Sequence, residues 1–386
     1  MCWTDGRVVE ETVVKIERAE VRVVGPEDKR YTWSHDLPEQ FQSVTTLRLF
    51  TDEGVEGVAG VWNAASYDYD RYTAECMRHL MPIVIGRDPR EHDALMFDLR
   101  PRVWPLPPGA MALLDIALMD IAGKLAGEPL YGMLGGETNR IPSYASTPMY
   151  EDVAAYMDKT EEFLDHGFRA VKFHTWCIAE DDLALAREAR RRFPETTFML
   201  DAENNYTLAD ALKVARVLGD LDFEWFEAPL HDSDLDGYRK LVAGSDIPIV
   251  PSGNWVRDLS LFEECLRTGV WSRSRADITI MGGITPALAA MRASDRAGMR
   301  CELMSWGYSL AQAANLHVML AAGNCSYFEQ SLPYELFEYG SWTLIRTEPD
   351  GCVTAPSTPG LGIEIDWDAM AAKTVHVLTC DKTGVR

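Results

Sequence analysis

Several features that would define a function class are missing from this chain of 386 residues. Its eight cysteines (Cys2, Cys76, Cys177, Cys265, Cys301, Cys325, Cys352 and Cys380) form no CxxC pair and no Cys/His cluster. That excludes a cysteine zinc site and argues against a disulfide framework, which belongs to short secreted chains. Reduced thiols in a cytoplasmic protein are the expectation. No apolar run approaches the roughly 20 residues that span a bilayer, and the opening MCWTDGRVVEET carries no secretory hydrophobic stretch. Neither GxGxxG nor GxxxxGK followed by Ser or Thr occurs, so no phosphate-cradling loop is expected. Basic residues are scarce: 37 Lys and Arg face 60 Asp and Glu, a net charge of −23. A nucleic-acid partner needs a basic footprint and is excluded, as is an anionic membrane surface. An anionic substrate would require a local reversal of that field.

What is present is material for a packed core. Hydrophobic residues make up 47% and charged residues 25%, which excludes disorder as the main state. The first part alternates like an antiparallel sheet, with strands expected at 16–24, 44–50 and 58–62. A long polar and aromatic loop, GPEDKRYTWSHDLPEQFQ, separates the first two; a loop of that length reads as functional or disordered. Helices are expected at 69–80, 91–99 and 110–125, the last stopping at Gly127. Residues 1–138 therefore read as an α+β unit.

Beyond residue 140 the rhythm changes. Short apolar segments end in polar residues at His174, Asp201, Glu227, Asn254 and Asp277, in steps of 27, 26, 27 and 23 residues, and each is followed by a helical pattern. Two more units pass through CELMS and SYFEQ. A strand, a helix and two short loops fill such a period. Repeated βα units with right-handed crossovers close most economically into a (β/α)8 TIM barrel, expected over 139–335. An open doubly wound sheet is the weaker alternative.

In a barrel the active site lies at the carboxyl ends of the strands. Side chains alternate along a strand. In RAVKFHTW, Val171 and Phe173 must face the helices, which turns Lys172 and His174 inward. The same parity turns Asp201, Glu203 and Glu227 inward. Crowded carboxylates repel, and a hard cation such as Mg2+ relieves them. Ion pairs at the barrel rim would satisfy the same residues, and spacing alone leaves both open.

Several segments together resemble the mandelate racemase and muconate lactonizing enzyme branch of the enolase superfamily. They are TDEGVEGVAG, LLDIALMDIAGKLAGEPLYGMLGG, MGGITPA and PGLGIEID, in order along the chain. The resemblance spans residues 11 to 370. It implies an enolase-like modified barrel, an N-terminal capping domain, and a C-terminal segment, 336–386, that returns to the cap. It also implies one Mg2+, a proton abstracted α to a carboxylate, and an enediolate stabilised on the metal. Asp201 and Glu227 match the first two metal ligands. The third position falls on Asn254 in PSGN instead of the usual Glu, as in glucarate dehydratase-like members. Glu203 could restore the lost charge as a ligand or meet the substrate.

Where the family carries Lys-x-Lys, this chain has Lys172-Phe173-His174. Lys172 then neutralises the substrate carboxylate and His174 is the base, kept neutral by the Lys172 cation. Asp277 matches the family's sixth-strand Asp, but no His stands near Gly307 to complete a dyad; His317 falls inside a helical pattern. Tyr144, Tyr308 and Trp306 are the remaining second-face donors or walls. Glu329 matches an acid that bonds the substrate carboxylate and would need its proton to donate. Arg30, Trp33 and His35 in the long loop are expected to meet a small polyhydroxylated anion.

One base on one face favours dehydration of an acid sugar, an aldonate or aldarate. An epimerase, racemase or lactone cycloisomerase of the same family is the alternative. A glycoside hydrolase also needs two rim carboxylates, but it leaves Lys172 beside His174 unexplained. A non-catalytic descendant leaves Asp201, Glu227 and Lys172 unexplained. A homo-oligomer is expected by family analogy.

Overall fold

The computed structural model describes residues 14–25, 30–32, 40–41, 43–62, 67–103 and 106–386. Five antiparallel strands form the sheet of the first unit, in the order Gly384–Val385, Thr374–Asp381, Ile16–Val24, Val44–Thr51 and Glu56–Val61. Strand Thr374–Asp381 thus lies beside Ile16–Val24, with Val21 opposite Leu378. Alternation along Ile16–Val24 sends Ala19, Val21 and Val23 into the core. Helices Tyr67–Val84, His92–Val103 and Pro108–Ala126 follow. The third starts on Pro108 and stops at Gly127, whose left-handed φ of 70° lets its N–H cap the last turn. Its buried Asp120 accepts from Val58 N (2.9 Å), Leu361 N (2.8 Å) and Lys124 Nζ (2.7 Å), joining three distant segments.

Eight parallel strand segments then alternate with helices, as expected for the barrel. They are Arg140–Ser146, Ala170–His174, Thr197–Asp201, Trp225–Glu227, Ile249–Val250, Ser274–Ala276, Cys301–Leu303 and Phe328–Ser331. The eighth pairs with the first, the first through fifth pair in sequence, and the sixth pairs with the seventh. Parallel register puts His174 beside Asp201 and Asp201 beside Glu227, so the three strand ends stand level. Below them Tyr144, Ala170, Met199, Trp225 and Val250 plug the barrel with apolar side chains.

Two strand tips differ from the sequence reading. The fifth strand ends at Val250, four residues before Asn254. Pro251 has no N–H to continue the ladder, and Gly253 turns the chain with φ 77°. The sixth ends at Ala276, and Asp277 instead caps the helix Ile278–Met281. Gly283 in the MGG motif is a packing glycine: a Cβ there would lie 2.4 Å from Asp115 Cβ. No helix among the described residues is long and apolar enough to cross a membrane.

His317 is a core residue. Its Nδ1 accepts from Tyr131 N and its Nε2 donates to Leu361 O, both at 3.1 Å. Burial holds it down at about 4. An unfolded imidazole titrates near 6.5, so stability from neutral His317 is complete above that pH and is lost as pH falls toward 4. Urea unfolding should show about 2 kcal/mol more loss between pH 7.5 and 5 in the wild type than in His317→Asn. Equal losses would remove His317 as the acid-sensitive group.

Candidate active site

The centre of the site is a buried lysine. Lys172, on the second barrel strand and 1% exposed, has three donors on its ammonium. They meet Glu329 Oε1 (2.7 Å), Glu227 Oε1 (2.9 Å) and Asp201 Oδ2 (3.1 Å). Arg275, on the sixth strand and 2% exposed, adds a second cation. Its Nη2 lies 2.9 Å from Glu227 Oε1 and 2.8 Å from Glu329 Oε2. The other Glu227 oxygen accepts from Trp225 Nε1 (3.0 Å), and Ser146 Oγ donates to Glu329 Oε1 (3.0 Å). Tyr144 offers its ring beneath the lysine, 5.6 Å from Nζ.

These contacts set the protonation states. Burial alone would raise every carboxyl. For Asp201 the Lys172 and His174 charges outweigh burial and hold it well below the usual range. For Glu329, Lys172 and Arg275 outweigh it and bring the group down to about 2. Glu329 is therefore an ionised acceptor, which corrects the expectation of a protonated donor. Burial pushes Glu227 up to about 8, against the pull of Arg275 and Lys172.

His174 ends the second strand. Its Nδ1 hydrogen-bonds the Thr147 carbonyl oxygen at 2.6 Å, which fixes the ring and aims Nε2 at the cavity. Nε2 lies 3.3 Å from both Asp201 Oδ2 and Glu203 Oε1. Burial favours the neutral ring, but the two carboxylates outweigh it and raise the group to about 9. The Lys172 charge is a weaker, opposing influence. The acids, not the lysine, thus govern the resting state of His174, contrary to the sequence expectation. Glu203 reaches this place from a left-handed turn, φ 47°, just beyond the third strand.

A cavity of about 480 Å³ lies above the cluster. Its wall includes Lys172, His174, Asp201, Glu203, Glu227, Asn254, Trp306 and Glu329 from the sequence reading. Trp306 stacks on Trp62 (5.9 Å) and meets the His174 ring edge-on (5.8 Å). Three expected residues lie elsewhere. Tyr144 belongs to the apolar plug. Tyr308 packs with Val24, Val44 and Met370 at the cap. Asp277 is buried, with Oδ1 capping Thr279 N (2.7 Å) and Oδ2 accepting from Asn315 Nδ2 (2.9 Å). Trp33 and His35 lie outside the described residues, and Arg30 is described only through its backbone pairing with Phe41.

Sequence reasoning missed Arg275. The same alternation applied to the sixth strand, which the sequence reading ended at Asp277, puts Arg275 on the face of Asp277, so the signal was present. It also missed His231 and Trp255, which complete the wall from the loops after the fourth and fifth strands. Such loop positions carry no periodic signal.

A capped barrel with acids level on successive strands defines an enolase-type protein. Residues 20–135 match the mandelate racemase/muconate lactonizing enzyme N-terminal domain, and residues 155–369 match the enolase C-terminal domain-like family. The chain belongs to this branch of the enolase superfamily, an enzymatic superfamily. A mandelate racemase/muconate lactonizing enzyme-type crystal structure from Pseudovibrio sp. is 37% identical, covers 96% of this chain and 100% of its own, and superposes with a TM-score of 0.92. The D-glucarate dehydratase of Agrobacterium tumefaciens, complexed with magnesium, is 27% identical over 94% of this chain and 99% of its own, TM-score 0.82. The D-galactarolactone cycloisomerase of Agrobacterium fabrum is 28% identical over 74% of this chain and 81% of its own. Lyases and isomerases thus both stand among the relatives.

Removing one member of a buried ion cluster strands the other charge. Arg275→Met should cost about 3–5 kcal/mol in denaturant unfolding. Adding Glu329→Gln should recover part of that loss; a double variant as unstable as the sum of the singles would show that Arg275 does not serve Glu329.

Proposed function

We propose that this protein is a Mg2+-dependent acid-sugar dehydratase that removes a proton α to a carboxylate and expels a β-hydroxide. The supporting observation is the one-sidedness of the site. His174 presents Nε2 to the cavity, whereas Asp277 on the opposite side spends its carboxylate on a helix cap and Asn315. Racemisation needs a base on each face of the α-carbon; elimination needs one.

The donor set fits a hard divalent cation. Asp201 and Glu227 are buried oxygen ligands on adjacent strands, level in register, and Glu203 and Asp201 offer oxygens within 4.8 Å of each other and of His174. Asp201 and Glu227, with Asn254 as the third ligand by family resemblance, would hold Mg2+, and Glu203 is the nearest further oxygen. Bound there, the ion would supply Lewis-acid stabilisation of the negative charge that develops on the substrate carboxylate. Lys172 adds a fixed positive charge beside that carboxylate. Ionised Glu329 holds Lys172 in place, and Arg275 in turn holds Glu329.

His174 takes the α-proton at Nε2 from its neutral form, while Nδ1–H stays on the Thr147 carbonyl. That form would be favoured by a divalent cation on Asp201, which offsets the carboxylate charge that otherwise keeps the ring protonated. The resulting imidazolium is the state that the neighbouring carboxylates favour, so the site is arranged to hold the proton once taken. The same group then delivers it to the departing hydroxide, and water leaves. Trp62 and Trp306 wall the base from solvent. Lactone cycloisomerisation uses the same one-faced proton transfer, and the cycloisomerase relative keeps it as the second reading.

The test is a panel of monoacid and diacid sugars and their lactones, with products followed by NMR in deuterated solvent. The proposal expects a dehydrated keto acid; ring opening of a lactone without water loss would transfer the assignment to the cycloisomerase. His174→Asn should lower turnover by about 10³-fold and abolish α-deuterium exchange while circular dichroism is unchanged. Exchange at the wild-type rate would move the base elsewhere. A chelator should remove activity and Mg2+ restore it; indifference to chelation would sink the metal assignment.

A further inference from the structure

We propose that His231 and Trp255 form a distal subsite that selects acid sugars with a hydroxylated carbon chain remote from the reacting carboxylate. The inference rests on the acid-sugar reading and names the part of the substrate that reading leaves open.

His231 follows the fourth strand and Trp255 follows the fifth, and both line the cavity. Their rings lie 4.5 Å apart. The His231 Nδ1 accepts from Ser233 N at 3.3 Å and lies 2.7 Å from Ser233 Oγ. A backbone N–H pointing at Nδ1 requires a lone pair there, so the ring proton sits on Nε2. That Nε2–H makes no hydrogen bond to any described residue. It is a donor of fixed direction on the wall of the cavity. Trp255 beside it is 57% exposed, a large aromatic face with an apolar body, suited to the C–H face of a sugar carbon chain.

The wall is built, not incidental. Asp232, the neighbour of His231, is 1% exposed. Its carboxylate accepts from Ser252 N (2.9 Å), Ser252 Oγ (2.7 Å) and Tyr238 OH (3.2 Å). Ser252 Oγ in turn accepts from Asn254 N at 3.2 Å. One buried acid thus clamps the His231 loop to the Trp255 loop, and Tyr238 also anchors Leu230 through its carbonyl (2.8 Å). Such support keeps a recognition surface pre-formed, and a few placed polar groups on an apolar wall orient a ligand. The buried His174, Asp201 and Glu227, where the acid-sugar reading puts the base and the metal, line the same cavity, so the reacting carboxylate end belongs with them and the hydroxylated end belongs at this exposed rim.

His231→Phe keeps the ring beside Trp255 and deletes the donor. With Mg2+ present and D-gluconate and D-galactonate as six-carbon probes, the variant should raise KM about tenfold while kcat falls by no more than about twofold, the pattern of lost uniform binding. Trp255→Ala should act in the same direction. The penalty should be absent for D-glycerate, whose three carbons do not reach the rim. Calorimetric titration of the same acids into the Mg2+-loaded protein gives a readout independent of turnover. Equal affinity of wild type and His231→Phe for the six-carbon acids overturns the subsite, as does their failure to bind the wild type. Binding that depends on His231 with no water lost from any probe overturns the dehydration reading and leaves the subsite standing.

Discussion

The site depends on one constraint: Lys172 cannot be buried as an ammonium unless carboxylates surround it. Three do, and Arg275 holds two of the three from the other side. The three acids and two bases leave one negative charge in excess when all are ionised. Desolvating a single charge costs several kcal/mol, so each member is stable only because the others are present. The cluster therefore fixes side-chain positions on the second, third, fourth, sixth and eighth strands together. It also sets the states of its members, holding Glu329 ionised while burial pushes Glu227 up.

Barrel geometry is what makes such a cluster attainable. Parallel register brings His174, Asp201 and Glu227 level, although they are separated by whole helices in sequence. The apolar plug of Tyr144, Met199 and Trp225 closes the barrel beneath and keeps water from below. Above, the aromatic pair Trp62 and Trp306 brings the first unit to the mouth of the barrel. Low dielectric strengthens each charge interaction inside. Two cations, Lys172 and Arg275, are thereby gathered at one place in an acidic protein, but three carboxylates outnumber them. The field reversal that an anionic substrate requires would therefore come from a divalent cation held by those acids.

The acid–base chemistry follows from asymmetry. On one side an imidazole is oriented by a carbonyl and flanked by carboxylates. On the other side the corresponding aspartate is consumed by structure. The proton therefore enters and leaves on one face, and this links the proposed elimination to cycloisomerisation and separates both from racemisation. The rim beyond, clamped by Asp232, is proposed to govern which substrate is held.

The sequence by itself determined the strand–helix rhythm, the barrel, and the inward turn of Lys172, His174, Asp201, Glu203 and Glu227. Periodicity and alternation are local properties that any strand must obey, so they survive without coordinates. The family resemblance added the metal and the reaction class, and it pointed to Asn254 as a departure. Only the tertiary structure decided protonation. The charge on His174 depends more on two carboxylates from the next strand and turn than on the lysine two residues away, and Glu329 is ionised because Lys172 and Arg275 reach it from other strands. It likewise decided that Asp277 caps a helix, that Tyr144 and Tyr308 sit away from the cavity, and that His231 and Trp255 form a wall. These outcomes hinge on distances between segments far apart in the chain, where electrostatic energy falls off over a few ångströms and sequence spacing carries no measure of it.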